Sequence, residues 1–78
     1  MDLQYFNIFI PYEVGDIIKA DDDNKPNQYE ILDIQFTYSA KQRKYVKIDL
    51  ILLDLTIKRE VKLPYDYCIW RMVKQNNE

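Results

Sequence analysis

Seventy-eight residues carry a net charge of −2, no histidine, one cysteine and one glycine, with 47% apolar and 14% aromatic residues. This composition excludes a Cys/His zinc site within one chain, a disulfide framework and a glycine-built phosphate cradle. One small domain is expected, with a dense core, because a chain of this size buries only about 60–65% of its unfolded surface.

No apolar run approaches the ~20 residues of a membrane span. The opening MDLQYFNIFI lacks a basic n-region, and Cys68 has no second cysteine, so a cytoplasmic protein is expected. Charge is unevenly spread: residues 1–33 hold eight acids and two bases, residues 34–78 five acids and nine bases. Early and late strands lying side by side would neutralise each other. That arrangement is expected in preference to one acidic and one basic face.

Residues 1–11 read as an extra N-terminal strand, with Phe6, Ile8 and Ile10 on one side and Pro11 ending it. The core of the domain is expected over 12–74, with 75–78 as a tail. In YEVGDIIKA the only glycine, Gly15, marks a backbone position needing positive φ or a sharp bend. DDDNKPN is a loop punctuated by Pro26 and two asparagines. As a calcium loop it fails, because counting from Asp21 puts Pro26 and Leu32 where a glycine and a glutamate are required.

Period-2 alternation follows. Leu32, Ile34, Phe36 and Tyr38 oppose Asp33, Gln35 and Thr37; Val46, Ile48, Leu50 and Leu52 oppose Tyr45, Lys47 and Asp49. SAKQRK joins the two as a hairpin, and Tyr38 and Tyr45 are placed to pair across it. In IKREVKL, Ile57, Val61 and Leu63 alternate with Lys58, Glu60 and Lys62. The last segment has two solutions. Asp66 as an N-cap, with Ile69, Met72 and Val73 behind it, gives a short C-terminal helix. The modest helix propensities of Cys, Ile, Trp and Val favour a strand over 67–75. The fold class is therefore mainly β: five or six short strands in a small barrel or strongly curved antiparallel sheet, with the short C-terminal helix as the alternative ending.

The order of parts, a GDII strand, a polar loop, three meandering strands and a tight turn into a last strand, resembles an SH3-like barrel. LPYDYCI resembles the φ-P-x-x-Y-φ corner of SH3 domains, where a proline and a tyrosine line a peptide groove. That resemblance implies such a role for Pro64 and Tyr67. It covers residues 12–74 as a layout and seven residues as a motif. The glycine before the corner, the tryptophan of the third strand and the N-terminal aromatic-acidic motif of SH3 domains are missing.

Chemistry is scarce. Cys68 has no histidine to activate it and reads as a buried structural thiol. Asp33 and Asp49 lie mid-strand as neighbours on an outward face, without a pocket for acid–base work. Lys41, Arg43, Lys44 and Lys47 beside Tyr38 and Tyr45 have the composition of a single-strand nucleic-acid groove. Three or four phosphate contacts give a salt slope of only about −3, and the pI near 5.0 is far from basic. Seven tyrosines exceed what so small a core holds, and exposed tyrosine is enriched at protein interfaces.

The expected function is a non-catalytic binding or adaptor module that contacts a protein, a second copy of itself included, through Tyr65, Tyr67 and Trp70. No cofactor, metal or small-molecule substrate is expected. A nucleic-acid-associated regulator using the 41–47 hairpin is the alternative. A third reading is a small inhibitor of phage or mobile-element origin, with Asp21–Asp23 mimicking phosphates.

Overall fold

The computed structural model describes residues 2–3 and 8–75, with side chains from Ile10 onward. Strands β1 (Asp2–Leu3) and β2 (Ile8–Phe9) pair antiparallel with one another, Asp2 opposite Phe9 and Leu3 opposite Ile8. The opening apolar run thus supplies two short strands rather than one extended strand, and Phe6 lies outside the described residues. Ile10, next in the chain, is buried in the core, and Pro11 is exposed.

The main sheet has five antiparallel strands: β3 (Ile17–Ala20), β4 (Gln28–Ser39), β5 (Lys44–Asp54), β6 (Arg59–Pro64) and β7 (Met72–Lys74). Their order is β6-β5-β4-β3-β7, so β6 and β7 are the two edges and the sheet is not closed. Helix α1 (Tyr65–Arg71) connects those edges. The mainly β reading holds.

Alternation places Ile48, Leu50 and Leu52 of β5 on the core face, opposite Phe36, Ile34 and Ile31 of β4. The β4 alternation is interrupted once. A bulge at Leu32 shifts the register between Ile31 and Asp33, so Ile31, not Leu32, is fully buried below it. A bulge adds twist and re-aims the strand. Here it lies where β4 stops pairing with β3 and continues with β5 alone. A second bulge, at Val46, leaves that side chain exposed. Ile18, Cys68, Met72, Ile10 and Tyr12 complete the core. Each fully buried aliphatic side chain contributes about 1.5–3 kcal/mol of burial free energy.

Both hairpin turns follow one plan. Ser39 Oγ accepts the Gln42 N–H at 3.1 Å, and Arg43 ends the turn at φ 56°. Asp54 Oδ1 accepts from Thr56 at 2.9 Å and Ile57 at 3.4 Å, and Lys58 ends the turn at φ 57°. Ile57 and Lys58 therefore belong to the turn, not to the strand read from IKREVKL, and Ile57 is exposed because its backbone turns away from the sheet. Val61 and Leu63 do pack against the core. Asp54 is only 4% exposed, and its Oδ2 accepts from the Asn27 side chain at 3.1 Å. Burial alone would push this carboxyl up. The Asn27 amide and the Thr56 and Ile57 N–H groups outweigh burial and hold it below its usual value.

Residues 65–71 are helical, which overturns the strand favoured over 67–75; only 72–74 are extended as β7. Tyr65, Cys68 and Met72 fall at i, i+3 and i+7, and all three pack into the core. That packing outweighs weak propensity. The N-cap is Pro64, with φ preset near the first turn, and Asp66 lies inside that turn. One early acid meets a late base: Lys74 Nζ stands 3.2 Å from Asp16 Oδ2.

Two predictions follow from these backbone constraints. Gly15 has φ 96° in a turn closed by the Asp16 N–H on the Glu13 carbonyl, and a Cβ there would meet nothing within 4 Å. Gly15→Ala should therefore destabilise through backbone conformation alone, by about 1 kcal/mol in urea unfolding. For Asp54 the lowered folded pKa means its stabilisation is present above the unfolded value and is lost as pH falls through the folded one. Asp54→Asn should be less stable than wild type at neutral pH, and the gap should shrink below about pH 4.

Candidate functional site

The connection from β3 to β4, residues 21–27, is fixed at both ends. The Asp21 N–H donates to the Arg71 carbonyl at 2.9 Å, and Asn27 is held by Asp54. Between them Asp22 Oδ1 accepts the Asn24 N–H at 2.9 Å, an Asx turn. β3 and β7 pair Ala20 with Met72, so this loop is carried alongside α1.

The result is a groove with two adjoining hollows. One, about 240 Å³, is lined by Ala20, Asp21, Asp22, Lys25, Tyr67, Trp70 and Arg71. The other, about 330 Å³, has Pro26, Tyr29, Leu63, Tyr67 and Met72 as its apolar wall. Tyr67 lines both. Tyr67 and Trp70 stand at i and i+3 and share a helix face. Trp70 is 85% exposed and Tyr67 42%. The Arg71 guanidinium carbon lies 5.4 Å from the Tyr67 ring centroid, a cation–π distance that steadies the ring.

Of the three contact residues read from the sequence, this face joins Tyr67 and Trp70. Tyr65 is half-buried instead, packing edge-to-face on Tyr12 with centroids 6.1 Å apart. Burial pushes the Tyr12 hydroxyl up to about 12, with Cys68 and Tyr65 adding to it. Strand alternation would have kept Tyr65 and Tyr67 on one side. The helix turns them about 200° apart. Pro64 is exposed at the start of α1 and does not line either hollow. The loop residues Asp21, Asp22 and Lys25 and helix residue Arg71 join the face without any local sequence signal, because the pairing of β3 with β7 brings them together.

Other candidates separate. Cys68 is fully buried, and burial pushes its thiol up to about 11, which leaves it neither reachable nor ionised at neutral pH. Asp33 faces Ile51 across β4–β5, whereas Asp49 faces Gln35. Asp49 is 2% exposed and lies 3.5 Å from Lys47 Nζ and 3.9 Å from Lys62 Nζ, so it is committed to a lysine pair. Among the described residues no group of three metal-ligating side chains comes together, and no helix is long and apolar enough to cross a membrane.

The basic run forms the tip of the β4–β5 hairpin. Lys41, Arg43 and Lys44 are exposed, with no side-chain partner among the described residues, while Lys47 is tied to Asp49. Behind the tip, Tyr45 packs edge-to-face against Tyr38 at 5.4 Å and Phe36 at 6.0 Å. The cross-strand tyrosine pair expected from the sequence is present. Comparison with known proteins returns no match: no family model, no curated protein and no solved structure resembles the chain.

Proposed function

We propose that this protein is a small non-catalytic binding module that captures a protein segment in the groove between residues 21–27 and α1. The observation that carries this reading is Trp70. An indole left almost fully in water gains most when a partner covers it, and tryptophan and arginine are the residues that dominate interface energies. Tyr67 extends the same apolar face, and Tyr65 serves it indirectly by seating the helix on Tyr12.

The order of parts supports an SH3-like layout: one strand, a loop, a three-strand meander, a helical corner and a strand returning to the first. In such a layout the loop and the corner flank the ligand. Asp21, Asp22, Lys25 and Arg71 would then set the orientation of the segment, through rim charges of both signs.

Trp70→Ala and Tyr67→Ser remove exposed side chains, so each should fold as wild type while weakening partner capture by at least about 30-fold. Capture at wild-type strength by both variants rejects the groove. In the wild-type chain, partner binding should also shift the emission of its only tryptophan to the blue.

A second reading rests on a different observation, the unpaired Lys41, Arg43 and Lys44 at the projecting tip. A two-stranded ribbon is narrow enough for a nucleic-acid groove. Three phosphate contacts predict gel-shift binding at about 50 mM salt that decays with a log–log slope of about −3. No shift at that salt removes this reading.

A further inference from the structure

β4 and β5 run on together past the rest of the sheet. β3 reaches only Gln28–Glu30 of β4, and β6 only Asp49–Asp54 of β5. Among the described residues, therefore, Asp33–Ser39 of β4 and Lys44–Ile48 of β5 each have one edge without a strand beside it. Open edges invite pairing with another chain, and proteins ordinarily block them with charge, proline, bulges or brevity.

Three of the four edges here are blocked in those ways. β6 carries Arg59, Glu60 and Lys62 and ends in Pro64. β7 is three residues long. The open part of β5 holds Lys44, Lys47 and the Val46 bulge. The β4 edge, DIQFTYS, carries less of this: one charge at its first residue, Asp33, whose Oδ1 accepts the Ile34 N–H at 2.9 Å, then no proline, no glycine, and β-branched or aromatic residues at Ile34, Phe36, Thr37 and Tyr38, with the Phe36 and Tyr38 positions left open. Neither bulge interrupts it.

We infer that this edge pairs with the same edge of a second copy, antiparallel about a two-fold axis at Phe36. The sequence is self-complementary in that register. Phe36 meets Phe36, and Ile34 meets the second copy's Tyr38, all on the apolar face. Gln35 meets Thr37, and Asp33 meets Ser39, all on the polar face. No like charges are opposed, and the Phe36–Phe36 and Ile34–Tyr38 pairs are of kinds that stabilise sheets.

Charge complementarity supports the same occupant. Continuing past Ser39, the basic turn of one copy runs beside the base of the other's edge. There Glu13 and Asp33 border a groove of about 270 Å³ with Val14 and Ile34. Lys41 and Arg43, unpaired in one chain, meet carboxylates in two. This surface is separate from the Trp70 groove, so either proposal stands without the other.

Sedimentation equilibrium should give twice the 9.5 kDa chain mass at about 1 mM chain, falling to the monomer on dilution to about 1 µM. Gln35 and Thr37 are exposed, so both accept charge. Gln35→Lys with Thr37→Lys sets introduced lysines against each other and should weaken the dimer at least about tenfold. Gln35→Lys with Thr37→Glu sets opposite charges face to face and should retain it. Independently of those variants, Gln35→Cys chains mixed in equal amount with Thr37→Cys chains should form a mixed disulfide under oxidised glutathione well above the half share that random pairing gives. A wild-type chain that stays monomeric at about 1 mM overturns the inference. A mixed disulfide at no more than the half share of random pairing, or a double-lysine variant that dimerises like wild type, overturns it too.

Discussion

The length of the β4–β5 ladder governs the rest of the molecule. These strands run for 12 and 11 residues, while their outer neighbours β3 and β6 run for 4 and 6. At about 3.4 Å per residue a 12-residue strand spans about 40 Å, which matches the 41 Å long axis of the molecule. One half of the hairpin is therefore a layer of the core, covered by β3, β6, β7 and α1. The other half runs on as a two-stranded ribbon with no further strand beside it among the described residues. The Phe36–Tyr45–Tyr38 cluster packs along it, and a two-stranded ribbon needs such apolar packing because on its own it is marginal in water.

The base of that ladder is fastened by polar contacts as well as packing. Asp54 joins two segments through three hydrogen bonds: its own turn through Thr56 and Ile57, and the 21–27 loop through Asn27. A buried carboxylate is costly unless its oxygens are satisfied, and here both are. Each contact therefore helps hold the next in place, and the loop that borders Trp70 inherits the rigidity of the hairpin turn. Asp49 plays a different part on the opposite face, where two lysine stems cover it from strands β5 and β6. Their heads remain in water while their methylenes exclude it.

Much of this was readable from residue order, and the failures share a cause. The alternation of Ile48, Leu50 and Leu52, the positive φ of Gly15 and the Tyr38–Tyr45 pair are local properties, and local pattern carried them. Leu32 was assigned to the core because period 2 was followed through a bulge, which alternation cannot register. Between the two endings the sequence allows, per-residue propensity favours the strand, whereas the structure has the helical alternative, α1. The spacing of Tyr65, Cys68 and Met72 is the available signal; of the Ile69, Met72 and Val73 spacing that suggests a helix, only Met72 reaches the core, while Ile69 and Val73 are exposed. Of the site, Tyr67 and Trp70 stood out by composition. Their meeting with Asp21, Asp22 and Lys25 depends on strands some 50 residues apart in sequence, and no window of sequence contains it.

The same distance in sequence orders the assembly in time. β4, β5 and β6 are joined by tight hairpins and can form from neighbouring residues, whereas β3 and β7 meet only after a long loop closes. Ala20 opposite Met72, the Asp21 N–H on the Arg71 carbonyl and the Gln75 N–H on the Ile17 carbonyl at 2.8 Å are the bonds of that late step. β7 contributes only three residues to it. A brief parting there would dismantle the groove around Trp70 while the meander stayed intact. In the proposed complex, a bound segment would hold the seam closed and slow amide exchange at β3 and β7 while leaving β5 unchanged.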